Sequence, residues 1–192
     1  LSKVASSFYG DPSRELKVIG ITGTNGKTTT ASLIYSILKS AKVKVAQIGT
    51  LGIKGEKKIQ SNSLTTPDAL TLQKTFSYLL KSNFTHVVME VSSHSLIQNR
   101  VDNIDFDIAL FTNLTSEHLD YHKDIESYFG AKSILFEMLR PDAIAIVNNS
   151  ASFGKRIIKK CKSHHITYSA RNKSDIIFDN LKIKMDGING RI

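Results

Sequence analysis

Residues 21–30 read ITGTNGKTTT. Gly23 and Gly26 let the backbone turn sharply and present N–H groups inward. Lys27 supplies a full positive charge, and Thr28 a hydroxyl suited to Mg²⁺. Thr24, Asn25 and Thr29 fill out a polar run that has no use inside a core strand. If a helix follows, it adds free N–H groups and the positive end of its dipole. The chemistry these residues suggest is a cradle for nucleotide phosphates. The spacing departs from the common GxxxxGK[ST] pattern, because Gly20 lies one residue too far from Gly26 and Gly23 too near. The competing reading is a glycine-rich turn without ligand, but Lys27 and Thr28 add nothing to a plain turn.

Further along, Glu90 follows the apolar VVM at the carboxyl end of an expected strand. In open α/β sheets that edge faces the ligand crevice, and an acid there can hold Mg²⁺ beside phosphates. The bland alternative is an exposed strand-end acid. Thr65, Thr66, Ser92, Gln98 and Arg100 offer hydroxyls, an amide and a guanidinium, donors suited to a carboxylate or phosphate. Each taken alone reads equally well as surface. Lys132 falls in an apolar stripe formed by Tyr128, Phe129, Leu135, Phe136 and Leu139 on an expected helix. A bare ammonium there is expensive to bury, unless the side chain snorkels out of the stripe. His94, His118 and His122 are conspicuous, but a lone histidine is more often structural than a ligand.

The elements that must position these groups follow from the apolar pattern. Buried strands are expected at 15–22, 43–50, 85–93, 106–113 and 143–149. Helices are expected at 29–41, with Leu33, Ile34, Ile37 and Leu38 at helical spacing, at 67–83 after Pro-Asp, and at 124–139. Residues 52–60 read as a polar hairpin and 175–188 as an antiparallel one. Strands and helices alternate, so the fold class is α/β: a mostly parallel sheet with helices on both faces, of the P-loop nucleotide-binding type, with a small antiparallel addition near the C-terminus.

Composition narrows the function classes. The chain has 192 residues, one cysteine (Cys161) and a formal net charge of +9. One thiol rules out an internal disulfide and fits a reducing cytoplasm. No apolar run approaches a membrane span, and residues 1–20 lack a signal-peptide pattern. The basic residues are scattered apart from clusters at 54–58 and 154–165. Neither cluster carries an RNA-binding or zinc-finger pattern, so a solvated basic surface is preferred over nucleic-acid binding. The chain does not start with Met and reads as a processed chain or a piece of something longer.

GTNGKTT (23–29) resembles the ATP loop of the Mur ligases, a loop that folylpolyglutamate and cyanophycin synthetases share in related form. TTPD (65–68), MEVSSHSLIQNRV (89–101) and FTNLTSEHLDYH (111–122) resemble the tripeptide-forming branch of that family, and FYGDPS (8–13) resembles the end of its N-terminal domain. Glu117 stands where the family usually has Asp, with His118 and Asp120 kept.

The resemblance implies an ATP- and Mg²⁺-dependent amide ligase. It would add meso-diaminopimelate or L-lysine to UDP-N-acetylmuramoyl-L-alanyl-D-glutamate through an acyl phosphate. It implies residues 23–29 as the ATP loop and Lys27, Glu90, His118 and Lys132 as catalytic. Thr65, Thr66, Ser92, Gln98 and Arg100 would bind the acceptor. Thr28 would serve a first Mg²⁺; Glu90, His118 and a carbamylated Lys132 would serve a second. It further implies residues 1–14 as the tail of an N-terminal domain, 15–192 as the central domain, a missing C-terminal domain, and a cytoplasmic monomer. The alternatives are another Mur-type or folylpolyglutamate-like ligase, or a nucleotide-binding module without ligase chemistry.

Overall fold

The computed structural model describes every residue except 57, 61–63, 118, 185, 186 and 192. The chain opens with helix α1 (Ser2–Phe8) and a 3-10 turn (Pro12–Arg14), then enters the central strand β1 (Lys17–Thr22). There follow α2 (Lys27–Ser40), β2 (Val45–Gly49), β3 (Gly52–Lys54), β4 (Lys58–Gln60), α3 (Ala69–Lys81) and β5 (His86–Glu90). The second half runs α4 (Ser93–Ile97), β6 (Ile108–Phe111), α5 (Leu119–His122), α6 (Ile125–Glu137), β7 (Ile144–Asn148), α7 (Ser152–Lys160) and β8 (His164–Ser169). It ends in β9 (Ile176–Ile177), β10 (Asp179–Lys184) and β11 (Gly187–Arg191).

One sheet has the order β4-β3-β2-β5-β1-β6-β7-β8-β9. From β2 to β9 every neighbouring pair is parallel, whereas β2–β3 and β3–β4 are antiparallel. A separate antiparallel pair, β10–β11, closes the chain. The expected hairpin at 175–188 is therefore placed too early: Ile176 and Ile177 pair in parallel with β8, and the antiparallel ladder begins at Asp179.

Alternation along β1 divides the core. Val18 packs with α3, α6 and α7 residues such as Phe76, Phe136 and Ile157 on one face. Ile19 and Ile21 pack under Ala31 and Tyr35 of α2 on the other. Both faces are covered, as the β-α alternation requires. The α2 stripe differs from expectation. Ala31, Ile34, Tyr35 and Leu38 face the sheet, while Leu33 and Ile37 are 59% and 67% exposed. The Tyr35 hydroxyl donates to the Gly55 carbonyl at 2.6 Å, so a residue with a polar tip takes the buried position.

Helix α7 and strand β8 have no counterpart among the elements expected from the apolar pattern. α7 carries four basic residues in nine, with only Gly154 and Ile157 buried, so its apolar signal is thin. β8 begins with the exposed His164 and His165 and lies near the sheet edge. Three helices have local start signals of their own. Asp68 caps α3 by accepting from Thr71 N at 3.0 Å, Ser92 caps α4 from Ser95 N, and Asp124 caps α6 from Ser127 N. No helix among the described residues is long and apolar enough to cross a membrane.

Candidate active site

The loop 23–26 joins β1 to α2 at the carboxyl edge of the sheet. Gly26 sits at φ +84°, a conformation that side-chain-bearing residues rarely adopt, and a Cβ at Gly23 would lie 1.9 Å from the Thr112 hydroxyl. The loop is stitched to the segment after β6. Thr24 N donates to Asn113 O and Asn25 N to Asn113 Oδ1, while the Thr112 hydroxyl donates to Asn25 O at 2.7 Å. Thr115 N donates to Thr24 Oγ1 at 3.0 Å, and Asn25 Nδ2 donates to Glu117 Oε1 at 3.2 Å. Nothing in the sequence marks Thr112, Asn113 and Thr115 for this supporting role, although FTNLT falls within the stretch 111–122.

α2 starts at Lys27 rather than residue 29, so Lys27, Thr28 and Thr29 form its first turn. The helix has no side-chain cap, and its first intrahelical bond is Thr30 N to Gly26 O. The first-turn N–H groups thus have no intrahelical partner and remain available to an anion. Lys27 Nζ donates to Gly23 O at 3.0 Å and Thr24 O at 2.9 Å. Burial lowers its pKa, against the opposing pull of Glu90 and Glu117.

Glu90 is fully buried at the end of β5, level with Ile21 of β1. Its Oε2 accepts from the Thr28 hydroxyl at 2.7 Å, and its Oε1 accepts from Thr50 N at 2.9 Å. Among the described residues no ammonium or guanidinium lies within ion-pair distance of this carboxylate. A hydroxyl and a carboxylate at this separation are hard oxygen donors that fit a Mg²⁺ ion. No group of three His, Cys, Asp or Glu side chains gathers around a metal-sized point among the described residues. His118, expected to join this site, lies outside the described residues.

Lys132 is 1% exposed, which overturns the snorkelling alternative. Its Nζ donates to Gly23 O at 2.8 Å and lies 4.3 Å from the Tyr128 ring centroid. Burial first, and the charge of Lys27 second, bring its pKa down to about 6. The two lysines thus converge on one carbonyl, and at neutral pH the Lys132 amine is largely uncharged.

A cavity of about 320 Å³ brings Lys27 and Lys132 together with Thr65, Thr66, Ser92 and Arg100. Thr66 is 1% exposed and its hydroxyl is engaged: it donates to Glu90 O at 2.9 Å and accepts from Ser92 N at 3.0 Å. Arg100 donates to Thr66 O at 2.9 Å and to Gln98 Oε1. Gln98 does not line this cavity; its Oε1 accepts from Arg100, and its Nε2 donates to the Tyr121 hydroxyl at 3.4 Å. His94 does line it, and its ring lies 4.1 Å from that of Tyr121. His122 is buried, 2.8 Å from the Ser93 hydroxyl, with its ring 4.9 Å from Tyr128.

The sequence pattern of the Mur ligase middle domain matches residues 21–192. The chain is 41% identical over 198 residues to the UDP-N-acetylmuramoyl-L-alanyl-D-glutamate–2,6-diaminopimelate ligase of Geobacter sulfurreducens, covering all of this chain and 39% of that protein. It is 44% identical over 188 residues to the first such ligase of Clostridium acetobutylicum, covering 97% of this chain and 38% of that one. A solved structure of a ligase of that name superposes with a TM-score of 0.82 at 30% identity, over 97% of this chain and 41% of the other. The chain spans about two fifths of the length of the relatives it matches. With a glycine-rich strand–helix loop, a buried carboxylate and a polar cavity meeting at one sheet edge, and with the middle-domain pattern running over most of its length, the chain belongs to the Mur ligase family.

Proposed function

We propose that this chain is the nucleotide-handling domain of a cytoplasmic, monomeric, ATP-dependent amide ligase. It adds the third amino acid to UDP-N-acetylmuramoyl-L-alanyl-D-glutamate. The names of the relatives favour meso-diaminopimelate over L-lysine as that amino acid. In this reading residues 1–14 are the tail of a preceding domain and residues 15–192 form the central domain. The observation that carries the proposal is the shared cavity: Lys27 of the phosphate loop lines the same space as Thr65, Ser92 and Arg100. An anionic acceptor held there lies beside the phosphates that must react with it.

Lys27 and the first-turn N–H groups of α2 hold the β- and γ-phosphates of ATP. Ser92, Thr65 and Arg100 orient the acceptor, with Gln98 steadying the guanidinium and Thr66 fixing the turn beneath. Thr28 and Glu90 hold Mg²⁺, and the ion neutralises charge on the phosphate oxygens when bound. The D-glutamate side-chain carboxylate attacks the γ-phosphorus, the bond to the β-phosphate oxygen breaks, and ADP leaves. The incoming amine then displaces phosphate from the acyl phosphate, loses a proton and forms the amide. The chain's part is positioning and charge neutralisation.

Lys132 enters as its carbamate. An amine with a pKa of about 6 is mostly unprotonated at neutral pH, the form that adds CO₂. The carbamate is an anion, which suits a place beside a cation site better than an ammonium already crowded by Lys27. His118 joins Glu90 and this carbamate in the proposed second metal site.

The test measures ADP formation by the complete ligase with and without UDP-N-acetylmuramoyl-L-alanyl-D-glutamate. The acceptor should stimulate turnover strongly, and Arg100→Ala should raise its KM while leaving that for ATP nearly unchanged. Turnover indifferent to the acceptor would favour a nucleotide-binding module without ligase chemistry.

A further inference from the structure

The way Glu90 is held draws in two residues that no motif singles out. Gly49 closes β2, which pairs in parallel with β5, and Ile48 lies level with Met89. The Glu90 side chain therefore passes directly over the end of the neighbouring strand. A Cβ built on Gly49 would stand 2.1 Å from Glu90 Oε1, 2.7 Å from Cδ and 2.8 Å from Cγ. Gly49 is not among the glycines with positive φ, so its backbone would accept alanine. The three atoms nearest such a Cβ all belong to the Glu90 side chain. Thr50, the next residue, donates its backbone N–H to Oε1 at 2.9 Å. Its hydroxyl lies 3.4 Å from Oε2 and 3.2 Å from the Thr65 hydroxyl. With Thr28 donating to Oε2 at 2.7 Å, both carboxylate oxygens are held, one from the first turn of α2 and one from the residue after β2.

We propose that Gly49 and Thr50 are positioning residues that set the Glu90 carboxylate for cation binding. Gly49 clears the space the carboxylate occupies, and the Thr50 N–H fixes its rotation so that Oε2 stays beside Thr28. The Thr50 hydroxyl ties this arrangement to Thr65 on the acceptor side of the cavity. A cation between phosphate and acceptor needs its carboxylate fixed in place, and backbone donors do this without side-chain entropy loss. The inference rests on the reading of Glu90 as a metal ligand.

The experiment uses the complete ligase with saturating ADP and titrates Mn²⁺, reading the free ion by electron paramagnetic resonance. Glu90→Gln sets the benchmark loss. Gly49→Ala should weaken Mn²⁺ binding at least tenfold and raise the Mg²⁺ concentration for half-maximal activity in step. Its melting temperature without metal should stay within a few degrees of wild type, because the clash is with a side chain that can rotate away. Thr50→Val keeps the backbone N–H and should weaken Mn²⁺ about threefold while raising the acceptor KM. Wild-type Mn²⁺ affinity in Gly49→Ala, alongside a large loss in Glu90→Gln, overturns the positioning role and leaves the metal reading standing. Unchanged affinity in Glu90→Gln overturns both. If Gly49→Ala does not fold, Thr50→Pro, which removes the N–H that Oε1 accepts from, decides, and wild-type Mn²⁺ affinity there refutes the proposal.

Discussion

Lys132→Met should stabilise the folded chain and flatten its pH dependence. Lys132 titrates near 6 when folded, against 10.5 unperturbed, because burial and Lys27 both disfavour its charge. Unfolding at neutral pH therefore takes up a proton. The sign follows: the unfolded state binds more protons between pH 6 and 10.5, so stability rises with pH across that window. Below pH 6 the burden is full. At one pKa unit per ~1.4 kcal/mol, wild type should gain about 2.5 kcal/mol from this residue between pH 7 and 9. At pH 7 the same arithmetic puts the cost of holding Lys132 neutral at about 5 kcal/mol as an upper bound. Methionine matches its length and removes that cost. It also withdraws the donor from Gly23 O, a loss of about 1 kcal/mol that Lys27 partly covers. The net gain at pH 7 is then about 4 kcal/mol at most, in a variant that ligates poorly. Urea unfolding of both chains from pH 6 to 9, in bicarbonate-free buffer, measures the difference, in which the other titrating groups cancel. Parallel stability–pH curves, or a methionine variant less stable than wild type at pH 7, would refute the argument.

Lys27→Ala should lower ligation by the complete enzyme more than a hundredfold and weaken ATP binding, because the phosphate charge loses its fixed cation; near-normal turnover would sink the cradle assignment. Lys132→Ala should lose most activity and regain part of it with added acetate, which supplies the missing anion; a variant that ligates normally would remove the carbamate from the mechanism. Asp68→Ala should cost about 1 kcal/mol through loss of the α3 cap, read as a lower denaturant midpoint at constant m-value.

What the sequence made legible follows the range of the physics involved. The proposed cradle is local: Gly23, Gly26, Lys27 and Thr28 lie within one strand–turn–helix unit, and their types alone suggest phosphate binding. The buried parallel strands were legible because sheets covered on both faces leave apolar runs that need no partner to be recognised. α7 leaves little trace in the sequence because its surface is basic and only Gly154 and Ile157 are buried. The α2 stripe was displaced by one residue because a tyrosine and an alanine fill positions that hydrophobicity alone would give to leucine and isoleucine.

The rest of the site is made of contacts between residues far apart in the chain. Thr28 meets Glu90 across 62 residues, Asn25 meets Asn113 across 88, and Lys132 meets Gly23 across 109. No periodicity encodes these pairings, since each exists only where parallel strands end at a common edge. Thr112, Asn113 and Thr115 look like an ordinary polar loop until β6 is laid beside β1, and then they become the wall that shapes loop 23–26. Gly49 is subtler still. Its reason lies wholly in the side chain of another strand, so from sequence it is one more turn glycine. Lys132 shows the opposite case: its oddity in an apolar stripe was visible at once, but only the fold reveals that it shares a carbonyl with Lys27. A residue whose burial costs stability and whose neighbour worsens that cost needs a reason other than packing, and the proposed carbamate supplies one.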